Sequence, residues 1–145
     1  MDFFTSMKMS ATGLNAQTKR MNTISSNIAN AETTRTPEGG PYRRKDAVFT
    51  TKELGMSFDQ HLNNKIDEYV EGVEVAEIVQ DERPARLVYN PSHPDANTEG
   101  YVAMPNINTV EEMANMISAQ RSYEANVTAM AAAKSMAQKA LEIGR

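Results

Sequence analysis

Apolar side chains recur at helical spacing at both ends of this 145-residue chain, and the spacing is lost between them. Near the amino end, one apolar row at seven-residue spacing consists of Met7, Leu14, Met21 and Ile28. A second row beside it becomes smaller and more polar along the chain: Phe4, Ala11, Thr18 and Ser25. A sustained seven-residue repeat is typical of a helix that packs along another helix. We therefore expect a long first helix that needs a helical partner.

The carboxyl-terminal region predicts a second long helix with a defined start. Thr109 is a candidate N-cap, and Glu112 stands three residues later, as in a reciprocal capping box. The apolar stripe that follows consists of Met113, Met116, Ile117, Tyr123, Val127, Met130, Ala137 and Leu141. Neither glycine nor proline interrupts residues 106–143, and Gly144 stands where a helix is expected to end.

Glycine and proline are concentrated between the two predicted helices. All six prolines and five of the seven glycines lie between residues 37 and 105. Both residue types interrupt helices, so this region is predicted to be irregular, with turns at 90–100. Its apolar segments predict a short helix at 57–68 and three strands, at Ala47–Lys52, Gly72–Val79 and Ala85–Tyr89.

The predicted fold is mainly α with a small β-containing middle. We expect long helices within residues 1–33 and 106–145, with residues 34–105 as the middle region between them. At ~1.5 Å per residue, a helix over 106–143 is about 57 Å long. A compact globule of this chain length is only about 38 Å across, from a radius of gyration near ~15 Å. The helices must therefore pack on each other or on neighbouring subunits.

Composition and charge argue against most kinds of chemistry. Fifteen Lys and Arg against nineteen Asp and Glu give a net charge of −4, which argues against nucleic acid as the main partner. The absence of cysteine excludes disulfides, thiolate metal sites and cysteine nucleophiles. His61 and His93 are isolated, with no second ligand at metal-binding spacing. We expect no catalytic, cofactor-binding or metal-binding site, and hence a protein that is not an enzyme.

The one positive patch in the sequence is the run Arg43–Lys45. It is interpreted as a solvated turn, with contacts to nucleic acid, an anionic membrane or acidic neighbouring subunits as the open alternatives. No apolar run reaches the ~18 to 20 residues of a membrane span, so we expect no membrane insertion. The amino end also lacks the basic start and apolar run of a signal peptide.

Two stretches of the chain carry a resemblance to a known family. Residues 26–45, SNIANAETTRTPEGGPYRRK, and residues 101–127, YVAMPNINTVEEMANMISAQRSYEANV, resemble the signatures of the flagellar axial proteins, which include the basal-body rod proteins. The resemblance implies a structural, non-enzymatic subunit of a hollow tubular rod in the periplasmic space, built with copies of itself and other rod subunits. It implies that the helices of residues 1–33 and 106–145 pair as an extended coiled-coil hairpin and that residues 34–105 project outward. It also implies export by the flagellar type III apparatus, which agrees with the missing signal-peptide pattern.

The matched motifs also imply which residues pack between subunits. From the first stretch these are Asn27, Ile28, Ala29, Asn30, Pro37 and Tyr42. From the second stretch they are Met113, Met116, Ile117, Arg121, Tyr123, Asn126 and Val127. Met7, Leu14 and Met21 of the seven-residue row complete the candidate packing surface. For Asn30, a simple helix C-cap is an equally good interpretation.

A soluble helical adaptor or chaperone-like binding module is the competing interpretation. Its helix pair would be folded in the monomer. For a rod protein, we expect instead that the purified monomer has protease-sensitive ends outside a core near residues 40–105.

Overall fold

The first level of organisation is the order of helices and strands. A computed structural model describes residues 3–53 and 71–143. The elements are α1 (Phe3–Ala29), β1 (Lys45–Glu53), β2 (Glu71–Gln80), β3 (Arg86–Tyr89), β4 (Tyr101–Met104) and α2 (Thr109–Ile143). The prediction of a mainly helical fold with a small β-containing middle is confirmed. The helix predicted at 57–68 lies outside the described residues.

The end of α1 is capped by the side chain of Asn30. Its Nδ2 donates to the Ser26 carbonyl over 2.9 Å, and its backbone N–H donates to the same oxygen over 3.1 Å. The Thr33 hydroxyl in turn donates to Oδ1 of Asn30 over 3.2 Å. The side chain thus adds a second donor to a carbonyl that already accepts a backbone bond. Asn30 folds back on the last turn of α1, as the C-cap interpretation expects.

The start of α2 differs from the predicted one. The Val110 N–H donates to Oδ1 of Asn108 over 3.1 Å, and the Glu112 N–H donates to the Asn108 carbonyl over 3.0 Å. These bonds make Asn108 the N-cap and Thr109 the first helical residue. The predicted capping box of Thr109 and Glu112 is wrong, because the Glu112 carboxylate binds partners on other segments.

The β-structure consists of two sheets of two strands each. The three predicted strands are present as β1, β2 and β3, whereas β4 was not predicted. β1 and β2 form one sheet, and β3 and β4 form the other as an antiparallel pair. In that pair Leu87 lies opposite Ala103 and Tyr89 lies opposite Tyr101. The two tyrosine rings meet edge to face, with their centroids 5.3 Å apart.

The chain divides into two compact units, and both helices contribute to each. The first unit takes its described residues from Met1–Lys19, Phe49–Ala76 and Gln120–Arg145, and the second from Arg20–Val48 and Glu77–Ala119. In the first unit Gly13 of α1 lies against Asn126 of α2. In the second unit Asn27 of α1 binds Glu112 of α2.

Small side chains make up much of the buried interior. Ala16 and Ala133 are buried in the first unit, and Ile24, Ala47, Val102 and Ala119 are buried in the second. The row Met7, Leu14, Met21 and Ile28 is half-buried. The second row predicted for α1, Phe4, Ala11, Thr18 and Ser25, is exposed. The inward positions of α1 are therefore not those with the largest apolar side chains.

Candidate functional site: helix faces and a buried polar cluster

A polar side chain, that of Asn27, is completely buried in the second unit. Its Oδ1 accepts from the Lys45 N–H over 2.9 Å and from the Tyr42 hydroxyl over 3.2 Å. Its Nδ2 donates to the Lys45 carbonyl over 2.7 Å and to Oε2 of Glu112 over 2.9 Å. Both ends of the amide are satisfied, which offsets the cost of burying a polar group.

Glu112 is the largest fully buried side chain of the described residues, with 1 % of its surface exposed. Its Oε1 accepts from Nε of Arg44 over 2.9 Å, and Nη1 of Arg44 also donates to Oδ2 of Asp46 over 3.1 Å. Burial lowers the pKa of Arg44, but the hydrogen bonds to Glu112 and Asp46 outweigh it and hold the pKa above its ordinary value. The guanidinium therefore stays charged beside the buried carboxylate.

The basic run is divided between solvent and this cluster. Arg43 is exposed, as expected for a solvated turn, whereas Arg44 binds Glu112 of the same chain. Lys45 is half-buried, and its Nζ lies 5.7 Å from the centre of the Tyr42 ring. The solvated-turn interpretation is thus wrong for Arg44, because a buried carboxylate requires a cation as its partner.

Tyr42 connects this cluster to the loop between α1 and β1. Its N–H donates to the Thr33 carbonyl over 3.0 Å, and its hydroxyl lies 3.1 Å from the hydroxyl of Ser26. Gly39 and Gly40 precede it with φ values of +91° and +77°, a backbone conformation that glycine adopts without steric cost. The loop can therefore reverse direction and bring Tyr42 back against the end of α1.

In the second unit, α2 exposes large apolar side chains on one face. Val110, Met113 and Ile117 are 74 %, 53 % and 54 % exposed. Residues three, four and seven apart lie on one side of a helix, so these three form a continuous outward stripe. The buried residues Glu112 and Ala119 are also seven apart and occupy a different side. We call Val110, Met113 and Ile117 the outward apolar face.

In the first unit, α2 also exposes large apolar side chains. The apolar residues Val127, Met136 and Leu141 are exposed, whereas the small residue Ala133 is buried. Asn126 is half-buried against Gly13, and its Nδ2 donates to the Ser122 carbonyl over 2.9 Å. In this part of α2, three large apolar residues are therefore exposed, while the buried residue is a small one.

The residues predicted to pack between subunits are distributed over all degrees of exposure. Asn27 is buried. Half-buried are Met7, Leu14, Met21, Ile28, Asn30, Tyr42, Met116, Tyr123 and Asn126. Exposed are Ala29, Pro37, Met113, Ile117, Arg121 and Val127. Asn27 and Tyr42 are brought together by a direct hydrogen bond.

Sequence reasoning missed Arg44, Lys45 and Glu112 as partners of Asn27. One signal could have indicated Glu112. It stands seven residues before Ala119 and four before Met116, and so shares a face of α2 with apolar positions. A carboxylate on such a face needs a buried partner.

Potential metal ligands among the described residues include carboxylates and one histidine, His93. No group of three or more His, Cys, Asp or Glu in residues 3–53 and 71–143 is placed to hold a metal ion. Nδ1 of His93 accepts from the Asp95 N–H over 3.1 Å, as part of a turn. His61 lies outside the described residues. No helix in these ranges is long and apolar enough to cross a membrane.

Comparison with known proteins agrees with this arrangement of terminal helices. The model for "Flagella basal body rod protein" matches residues 7–35, and the model for "Flagellar basal body rod FlgEFG protein C-terminal" matches residues 98–143. These matches contain most of α1 and α2.

Three relatives align with this chain over nearly its whole length. The flagellar basal-body rod protein FlgC of Bacillus subtilis is 47 % identical over an alignment of 152 positions, gaps included, which covers 100 % of both chains. The FlgC of Borreliella burgdorferi is 45 % identical over 152 such positions, covering 99 % of this chain and 98 % of the relative. The FlgC of Escherichia coli O6:H1 is 39 % identical over 137, covering 94 % of each. This chain therefore belongs to the FlgC family of flagellar basal-body rod proteins.

Proposed function

We propose that this chain assembles with copies of itself and with other rod subunits through the outward apolar face of α2. As a member of the FlgC family, it is a structural subunit of the rod of the flagellar basal body. The observation that carries the proposal is the exposure of Val110, Met113 and Ile117 on one side of α2.

Apolar exposure on this scale has a physical cost that assembly would remove. Single exposed apolar residues are normal on protein surfaces, but a contiguous patch is typical of an interface. Burying an apolar side chain contributes roughly 1.5–3 kcal/mol. Since the buried positions of α2 carry Glu112, Ala119 and Ala133, its larger apolar residues are available to a neighbouring subunit.

The seven-residue row of α1 also packs against neighbouring subunits in the proposal. Met7, Leu14, Met21 and Ile28 of α1 are half-buried, so part of each side chain stays available for contact. We assign residues 1–33 and 106–145 to the helical wall of the tubular rod and residues 34–105 to the outward-projecting middle. Asn27 and Tyr42 act indirectly, because their polar groups are used within the chain.

Export and the absence of enzymatic activity are further parts of the proposal. The subunit would leave the cell through the flagellar type III apparatus and assemble in the periplasmic space. A non-enzymatic role is supported by the use of the buried ionisable groups, since Arg44 and Glu112 bind each other and so serve packing.

The decisive experiment is deletion of the gene, followed by electron microscopy of isolated basal bodies. We expect basal bodies without a rod and cells that do not swim, with both properties restored by the wild-type gene. Intact rods in the deletion strain would contradict the proposed function.

Self-association needs a separate measurement. In cells that carry one tagged and one untagged copy, rods purified through the tag should contain both copies, in proportion to their expression. Recovery of the tagged copy alone would exclude contacts between copies of this chain.

A further inference from the structure

The buried side chains of α1 and α2 in the second unit are mostly small or polar. α1 contributes Thr23, Ile24 and Asn27, and α2 contributes Glu112 and Ala119. Large apolar side chains that fill specific holes set the register of paired helices, and only Ile24 is of that kind. α2 contains nine alanines, so contacts between small residues could form at more than one position along it.

Polar side chains, in contrast, can pair at one position only. We define the polar cluster as Asn27, Tyr42, Arg44, Lys45 and Glu112. Nδ2 of Asn27 reaches Glu112 and the Lys45 carbonyl over 2.9 and 2.7 Å. A slide of α1 along α2 by one helical turn, about 5.4 Å, would break the bond between Asn27 and Glu112. It would leave buried polar groups without partners, which is strongly unfavourable. The cluster therefore distinguishes the observed alignment from a shifted one.

Stability alone is a poor explanation for a carboxylate at this position. Burial removes Glu112 from water, and pairing with Arg44 compensates that cost without a large surplus. Apolar side chains of similar size in place of a buried ion pair are often neutral or stabilising. The best-attested benefit of buried polar groups is that they fix the alignment of helices.

We propose that the polar cluster specifies the axial register of α1 on α2, and that rod assembly depends on this register. The second half rests on the proposed function, because it assumes that neighbouring subunits contact both helices. A shifted α1 would displace Met21 and Ile28 relative to the outward apolar face, so that a neighbour could not engage both.

The test replaces the buried ion pair of the cluster by apolar side chains in the full-length chain. The variant combines Arg44→Met and Glu112→Leu, and it keeps Asn27 with its two bonds to the Lys45 backbone. Ile24→Ala is the matched control, since it removes buried apolar volume and leaves the cluster in place. We expect the double variant to have a Tm equal to or above that of the wild type, yet to yield at least tenfold fewer rods. The control should have a lower Tm and still build rods.

A cysteine pair measures the register directly, because the chain has no cysteine of its own. In the first unit, a Cβ atom on Gly13 would lie 3.2 Å from Cγ of Asn126, close enough for a disulfide between the two positions. Gly13→Cys with Asn126→Cys is expected to cross-link on oxidation in the otherwise wild-type chain. In the double variant, the cross-linked fraction should fall several-fold.

Each outcome of these measurements decides the proposal. Normal rods, or an unchanged cross-linked fraction, in the double variant would overturn the register proposal and leave the proposed function intact. A Tm below that of Ile24→Ala, or failure to fold, would also overturn it, since the cluster would then be chiefly a stabilising contact. Intact rods in the deletion strain would instead overturn the proposed function.

Discussion

Gly13 and Asn126 are in direct contact in the first unit, and the contact depends on the missing side chain of the glycine. A Cβ atom on Gly13 would lie 3.0 Å from Oδ1 and 3.1 Å from Nδ2 of Asn126. The Asn126 amide is held in place by its hydrogen bond to the Ser122 carbonyl. Gly13 thus allows a close approach of α1 to α2, although glycine is a poor helix former.

We expect Gly13→Val to lower the free energy of unfolding by about 1–3 kcal/mol, the usual cost of overpacking. Urea denaturation of the purified chain measures it. Ala11→Val is the control, because position 11 is on the exposed side of the same helix. An unchanged or higher free energy of unfolding in Gly13→Val would show that crowding against Asn126 does not outweigh the replacement of a poor helix former.

The outward apolar face predicts a variant that folds but does not assemble. Ile117 is 54 % exposed, so Ile117→Asp should change the free energy of unfolding little while placing a carboxylate in the proposed interface. We expect secretion near the wild-type level, no rods in isolated basal bodies and loss of swimming. Ser118→Asp carries the same charge about 100° around the helix and serves as the control. Normal swimming of the Ile117 variant would exclude this face as the interface.

The cap of α2 predicts a local loss of stability. Asn108→Ala removes the acceptor for the Val110 N–H and should cost about 1 kcal/mol. Asn108→Asp keeps an acceptor at the helix N-terminus and should cost much less. Thermal denaturation followed by circular dichroism compares the two. An equal loss in Thr109→Ala would instead favour Thr109 as the cap.

The ion pair of Asp81 and Arg83 is expected to make a small contribution to stability that is lost in acid. The side chain of Arg83, and then its N–H, donate to the Asp81 carboxylate and lower its pKa from 3.8 to about 2. A carboxyl group with a depressed pKa stabilises the fold above its ordinary pKa, and the contribution is lost as the pH falls through the depressed value. The difference in Tm between wild type and Asp81→Asn should therefore shrink between pH 5 and pH 2. Glu82→Gln is the control, and a difference independent of pH would contradict the prediction.

The sequence predicted the elements better than their inward faces. Glycine and proline delimit both helices, because these residues interrupt helical hydrogen bonding. β4 escaped prediction because Tyr101–Met104 is only four residues long and pairs with a strand whose partner no local pattern specifies. Hydrophobic spacing finds the apolar face of α2 at Met113 and Ile117. It does not reveal that the fold buries the opposite side and leaves this face exposed.

The polar cluster was beyond sequence reasoning for a different reason. Asn27 and Glu112 are 85 residues apart, and each has a plausible local role at a helix end. The predicted capping box used Glu112 for a short-range bond that its side chain does not make. Only the three-dimensional approach of α1, α2 and β1 shows that Arg44 and Asn27 are its partners.

The edge-to-face pair of Tyr89 and Tyr101 provides an optical probe inside the second unit. The chain has no tryptophan and five tyrosines, so its near-ultraviolet absorption and emission come almost entirely from phenol rings. Tyr42 lies in the same unit, with its hydroxyl bonded to Asn27. Near-ultraviolet circular dichroism of the unlabelled protein will therefore follow chiefly the ordering of this unit, while far-ultraviolet signals follow the helices of both.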